Sequence, residues 1–86
     1  MGGPTEAERR RLRWRCRRGL KELDVLFERY AESSLANASA AEFGSLERFL
    51  DLPDPEIAAY LLGDAVPEDP GLAELAARIR NYAARA

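Results

Sequence analysis

The sequence predicts an all-α protein that folds as a small single-domain five-helix bundle. Leucine and alanine dominate the apolar residues and β-branched residues are scarce, which favours helix over strand. Apolar residues recur at the three-and-four spacing of a helix face, and no stretch shows convincing period-two alternation. Capping boxes and Asp-Pro pairs mark helix starts. Together these signals predict helices at about residues 6–17, 20–32, 40–51, 55–62 and 70–84 within one domain, 1–86.

Helix one is predicted to begin at a capping box in which Thr5 caps and Glu8 reaches back. Leu12 and Cys16 are four residues apart and share a face, so we expect Cys16 to pack as a small apolar group. Trp14 is expected in the core, the more common position of a tryptophan, with an exposed interface anchor as the alternative. If Cys16 were exposed, the neighbouring arginines would favour its thiolate.

Helix two follows Gly19, which is predicted to end or bend the first helix. Its predicted buried stripe consists of Leu20, Leu23, Leu26, Phe27 and Tyr30. The small polar residues 33–38 are predicted to form a loop.

Helices three to five each begin at a recognisable cap. Ser39 and Glu42 form a second predicted capping box. Asp54-Pro55 and Asp69-Pro70 are predicted to supply a cap and a first helical proline to helices four and five. One shared core is expected to contain Leu23, Phe27, Leu46 and Ile79.

Charge is distributed unevenly along the chain. Residues 1–21 carry eight basic and two acidic groups, whereas residues 22–86 carry five basic and thirteen acidic groups. Seven arginines between positions 9 and 18 form a basic segment that an acidic partner, or the acidic part of this chain, could face. Nucleic acid, with Trp14 stacked on a base, is the alternative. The net charge of −2 disfavours a dedicated nucleic-acid binder.

The chain has no histidine and a single cysteine. Ser-His-Asp and Cys-His catalysis are therefore excluded, an internal disulfide is impossible, and a zinc site is disfavoured. No apolar run approaches the roughly 20 residues that span a bilayer, and the N-terminus has neither a signal-peptide nor a good transit-peptide pattern. These features predict a cytoplasmic bacterial protein rather than one of the mitochondrial matrix, with no metal, no membrane insertion and no catalytic site.

The stretch most informative about function is residues 17–24, RRGLKELD. Gly19 can adopt a positive φ and lets another backbone approach, so Arg-Gly-x-x-Glu places a cation and an anion beside an exposed bend. The structural alternative is a helix terminator followed by a first-turn glutamate. An ion pair between Arg18 and Glu22, four residues apart, would also fit that alternative.

Residues 14–24 (WRCRRGLKELD) and 49–57 (FLDLPDPEI) resemble the succinate dehydrogenase FAD assembly factors, also called flavinylation factors. The resemblance covers about residues 8–82, and it implies a small five-helix protein. Such a protein binds the flavoprotein subunit of succinate dehydrogenase, and often that of fumarate reductase, and promotes covalent attachment of FAD to a histidine there. The sequence departs from the family in an alanine-rich, shorter entry to helix three, with Gly44 inside that helix.

The resemblance implies that Arg18, Gly19 and Glu22 form part of the surface that meets this flavoprotein. The predicted partner-binding residues are Trp14, Arg17, Arg18, Gly19, Glu22 and Asp24. FAD is expected to be attached to the partner and not bound tightly by this chain, which lacks a Gly-rich dinucleotide fingerprint. An antitoxin-like protein-interaction module, a label that some family members have carried, is the alternative.

Overall fold

The computed structural model describes residues 3–84, which form five α-helices and contain no strands. The helices are α1 (Glu6–Arg15), α2 (Lys21–Ser34), α3 (Ala40–Leu50), α4 (Asp54–Leu61) and α5 (Pro70–Ala84). A 3₁₀ turn, Leu35–Asn37, joins α2 to α3. The prediction of an all-α, five-helix fold is confirmed. No helix in the described part of the chain is long and apolar enough to cross a membrane.

One hydrophobic core lies between the helices, and α5 packs against α2, α3 and α4. The four residues predicted to share this core, Leu23, Phe27, Leu46 and Ile79, all lie in it. Phe27 of α2 meets Phe49 of α3 edge to face, with ring centroids 6.2 Å apart. Such aromatic pairs stabilise a core beyond their buried area. Gly44, on the same helix as Phe49, leaves α3 uninterrupted.

Two capping boxes were predicted, and only the first is complete. The backbone N–H of Thr5 donates to Glu8 Oε1 at 2.8 Å, and the N–H of Glu8 donates to Thr5 Oγ1 at 3.1 Å. These hydrogen bonds lower the pKa of the Glu8 carboxyl. Ser39 does accept from the N–H of Glu42 at 3.1 Å, but the Glu42 side chain does not return to the cap.

The carboxylate of Glu42 instead joins three helices in the interior. It accepts from the hydroxyl of the fully buried Tyr30 and, at 3.5 Å, from Ser34 of the same helix. Its other oxygen accepts from Arg78 of α5 at 3.3 Å. Burial and the bond to Glu42 raise the pKa of Tyr30, so its hydroxyl remains a neutral donor. The Glu42 side chain therefore makes tertiary contacts in place of the second hydrogen bond of the predicted capping box.

The segment 33–38, predicted as a loop, is largely helical, so that prediction is wrong. Helix α2 continues to Ser34, and the 3₁₀ turn follows directly. Leu35 and Ala38 are both buried, which anchors the segment to the core. Helix α1 also differs from its prediction, because it ends at Arg15 and not at residue 17.

The predicted cap of α4 is displaced by one residue. Pro53 occupies the N-cap position and Asp54 is the first helical residue, without a side-chain cap bond. The prediction that Asp54 caps α4 is therefore wrong. Asp69, by contrast, accepts from the N–H groups of Gly71 (2.8 Å) and Leu72 (3.1 Å) at the start of α5, as predicted. Its hydrogen bond to Arg48 and these backbone bonds lower the pKa of the Asp69 carboxyl.

We predict that Leu23→Ala destabilises the fold by ~2–5 kcal/mol, because a fully packed leucine loses its contacts and leaves a cavity. Leu23 is only 1% exposed, whereas Val25, two residues further along α2, is 43% exposed. Val25→Ala is thus a matched control that should cost far less. Urea unfolding followed by circular dichroism measures both, and equal losses for the two variants would contradict the assignment of Leu23 to the core.

Candidate partner-binding site

The loop between α1 and α2, residues 16–20, turns at Gly19. This glycine has a φ of +79°, and no other residue in the described range 3–84 has a positive φ. The predicted bend at Gly19 is confirmed, and its positive φ is one that glycine tolerates. A Cβ built at Gly19 would meet no atom within 4 Å. A side chain there would therefore strain the backbone, by ~1–2 kcal/mol, without clashing inside the molecule, so this face of the loop is open.

The guanidinium of Arg18 is bound to the junction of α3 and α4, residues 50–54. Its Nε donates to Asp54 Oδ1 at 2.8 Å. Its Nη1 and Nη2 donate to the carbonyls of Leu50 at 2.9 Å and Leu52 at 3.2 Å. The side chain is only 18% exposed. The ion pair between Arg18 and Glu22 that the structural alternative allowed is not formed, and Arg18 pairs with Asp54 instead.

The main chain of Arg18 is held as well. Its N–H donates to Asp24 Oδ1 at 2.8 Å, which ties the loop to the first turn of α2. Arg18 and Asp24 were both predicted to meet a partner, and the structure gives each an internal hydrogen bond. The residue that precedes Gly19 is therefore fixed from two sides.

Trp14 is 68% exposed, so the expectation that it is part of the core is wrong. Leu12 and Cys16, two residues before and after it, are buried and define the inward face of α1. At 3.6 residues per turn, Trp14 points to the opposite side. The guanidinium carbon of Arg17 lies 5.8 Å from the centre of its indole ring, within cation–π range. The two predicted partner-binding residues form one exposed patch.

Some arginines of the basic segment contact other parts of the chain, and the others extend into solvent. Arg9 donates to the carbonyl of Leu35 at 2.6 Å, and Arg15 pairs with Asp51 at 2.6 Å. With Arg18, three arginines of the basic segment thus bind other parts of the chain. The exposed members are Arg10, Arg11, Arg13 and Arg17.

Glu22 lies in the first turn of α2 and is exposed. Within the described residues it makes no hydrogen bond or ion pair, in contrast to Arg18 and Asp24. It lies at the edge of an open, mainly apolar groove of about 940 Å³ between α2 and α4. The groove also contains Leu20, which was predicted to be buried. That prediction is wrong, because Leu20 is an extended residue before α2 and is 40% exposed.

Cys16 packs as a small apolar group, as predicted. It is 4% exposed, and burial raises the pKa of its thiol to about 12. Arg18, Arg15 and Arg13 act in the opposite direction but do not outweigh the burial. The alternative of an exposed thiolate is therefore not realised. No cluster of potential metal ligands occurs among the residues that the structure describes.

The contact made by Asp54 was not predicted from the sequence. Asp54 was expected to cap a helix, whereas its carboxylate accepts a hydrogen bond from Arg18, 36 positions away in the chain. The available signal was that the two stretches that carried the family resemblance each contain one member of this pair.

Comparison with known proteins decides the family of the chain. Residues 10–83 match the family described as flavinator of succinate dehydrogenase. The chain belongs to this family. Among the relatives of this chain, the FAD assembly factor SdhE of Methylococcus capsulatus is 42% identical over 80 residues, which cover 93% of this chain and 96% of that protein.

Two further relatives of this chain bear the same name, FAD assembly factor SdhE. The protein of Xylella fastidiosa is 47% identical over 74 residues, covering 86% of this chain and 76% of that protein. The protein of Shewanella oneidensis is 39% identical over 74 residues, covering 86% of this chain and 90% of that protein. No solved structure matches this chain. The family resemblance that the sequence suggested is confirmed.

We predict that Cys16 resists iodoacetamide at about pH 8, where an ordinary thiol is partly ionised. A buried thiol with a pKa of about 12 offers almost no thiolate to the reagent. Alkylation is measured by intact mass, with and without urea. Ser33→Cys, at an exposed position, is the control and should gain one adduct in the folded protein. Rapid modification of Cys16 in the native chain would contradict its burial.

Proposed function

We propose that this chain is an FAD assembly factor that binds the flavoprotein subunit of succinate dehydrogenase and promotes covalent attachment of FAD to it. One observation carries the proposal. In a chain of the flavinator family, the loop at Gly19 presents an open backbone, and Glu22 beside it is exposed and has no partner among residues 3–84. The open face of Gly19 and the carboxylate of Glu22 are therefore both accessible to a partner.

The proposed mechanism requires no catalytic group from this chain. A covalent flavin bond forms when a histidine of the flavoprotein attacks the flavin. A helper can accelerate that step by holding the flavoprotein in the reactive geometry. The chain has no histidine, and its cysteine is buried. It therefore acts as a non-catalytic chaperone that selects one conformation of its partner.

The six predicted partner-binding residues divide by role in this proposal. Gly19 allows the partner's backbone to approach, and Glu22 orients a donor of the partner. Arg17, stacked on Trp14, meets an acidic group of the partner. The remaining two, Arg18 and Asp24, are engaged within the chain and give the loop its shape.

We place this activity in the bacterial cytoplasm, as the sequence predicts, and FAD stays with the flavoprotein. The complex is expected to contain one copy of each protein. The flavoprotein subunit of fumarate reductase is the expected second partner. The exposed arginines should speed association with an acidic surface, and added salt should slow it.

The experiment that tests the function is deletion of the gene, followed by flavin fluorescence of the large succinate dehydrogenase subunit on a denaturing gel. Only covalently bound flavin survives denaturation, so the fluorescent band should fade in the deletion strain. An immunoblot of the same subunit controls for its amount, and the plasmid-borne gene should restore the band. Unchanged fluorescence in the deletion strain would sink the proposal.

We predict that Glu22→Ala lowers flavinylation while the fold survives. Loss of a favourable first-turn dipole interaction costs only ~0.3–1 kcal/mol of stability. Loss of a buried contact to a partner's donor costs ~2–5 kcal/mol of binding. The measurement compares the thermal midpoint with the rate at which the purified flavoprotein subunit acquires covalent FAD.

Glu32→Ala is the matched control, because Glu32 is an exposed glutamate in the last turn of the same helix. It should leave both quantities nearly unchanged. Gly19→Ala should impair both, with binding reduced more than stability, because its side chain adds backbone strain and a steric obstacle to the partner. Full flavinylation with Glu22→Ala, or a collapsed fold, would remove Glu22 from the proposed contact surface.

A further inference from the structure

All three acceptors of the Arg18 guanidinium belong to the α3–α4 junction. The carbonyl of Leu50 lies at the last turn of α3, where helical carbonyls lack partners within the helix. Arginine suits such a site because its planar fork offers donors in fixed directions, which a lysine ammonium cannot reproduce. The acceptors of the α3–α4 junction therefore match an arginine side chain.

The contacts of Arg18 determine how the backbone of its neighbour, Gly19, is oriented. The side chain of Arg18 is fixed by the junction and its N–H by Asp24, so the residue has little freedom. Gly19 follows at once with its φ of +79° and leads into α2. The open face of Gly19 is therefore oriented by contacts made by its neighbour.

A second ion pair joins the same two segments but has a different character. Arg15 and Asp51 meet at 2.6 Å, with side chains 37% and 71% exposed. Exposed pairs of this kind contribute little to stability. The Arg18–Asp54 pair is more enclosed and is supplemented by two carbonyl bonds. The chain thus contains a pair that can position the loop and a nearby pair that serves as its control.

We propose that Asp54 is a positioning residue for flavinylation: through Arg18 it orients Gly19 toward the flavoprotein, without contacting the flavoprotein itself. This inference rests on the proposed function and adds to it Asp54, a residue of α4 that holds the loop through Arg18. It also explains why the two stretches that carried the family resemblance occur together. Each stretch supplies one residue of the Arg18–Asp54 ion pair.

The test compares Asp54→Ala and Arg18→Ala with Asp51→Ala. In the free protein, both of the first two variants should shift the amide resonances of Arg18 and Gly19 and speed hydrogen exchange at the Arg18 amide. Affinity for the purified flavoprotein subunit should fall by about tenfold to 100-fold, the range expected for a misplaced contact. Asp51→Ala should leave the affinity within about twofold.

The double variant Arg18→Ala/Asp54→Ala separates positioning from direct contact. If both residues act through one bond, the double variant should bind about as well as the worse single variant. Additive losses in affinity would overturn the proposal. So would an Asp54→Ala protein that binds weakly although its Gly19 resonance is unchanged, because Asp54 would then touch the flavoprotein directly.

Asp54→Asn keeps the proposal testable if Asp54→Ala unfolds, because asparagine retains the size and one neutral acceptor. The same two readouts apply to it, and a shifted Gly19 resonance with unchanged affinity would overturn the proposal. Failure of the proposed function has a different signature. In that case the wild-type chain itself would not bind the flavoprotein, whereas Asp54→Ala would still shift the Gly19 resonance.

Discussion

The hydrogen bonds from Arg18 to the α3–α4 junction hold the loop between α1 and α2 against the rest of the molecule. The junction contains the C-terminal end of one helix, which carries partial negative charge, and the carboxylate of Asp54. A cation is the natural occupant of such a place, and the guanidinium also satisfies the carbonyls of Leu50 and Leu52. One side chain thereby joins segments more than thirty positions apart. The exposed surface around Gly19 depends on this internal contact.

The basic segment serves the fold and the surface at once. Leu12 and Cys16 set the inward face of α1, and the arginines nearest that face bind acceptors within the chain. The arginines on the outward face remain solvated, as does Trp14. The first interpretation of the run, an internal counterpart to the acidic part of the chain, is confirmed for Arg15 and Arg18, which pair with Asp51 and Asp54. The second interpretation, a surface for a partner, stays a prediction for the exposed arginines.

The sequence allowed prediction of those features that depend on neighbours along the chain. The cap at Thr5, the positive φ of Gly19 and the stripe that includes Phe27 all follow from local chemistry and helical spacing. The error at Asp54 concerns a residue whose contact comes from a distant segment. Asp54 was read as a local cap because its partner lies 36 residues away. Trp14 was placed in the core by a general habit of its residue type, although its helix buries the opposite face.

An exposed carboxylate can make a chaperone selective at little cost to its own stability. In the free protein Glu22 is exposed to solvent, so the lack of a partner for it among the described residues carries no desolvation penalty. In a complex the same carboxylate loses water and needs a donor to compensate. In the proposed complex, a flavoprotein conformation that supplies this donor, with its backbone close to Gly19, would be stabilised relative to conformations that do not. Gly19 adds a steric criterion, because its open face would let the partner's backbone approach more closely than any side chain at this position would.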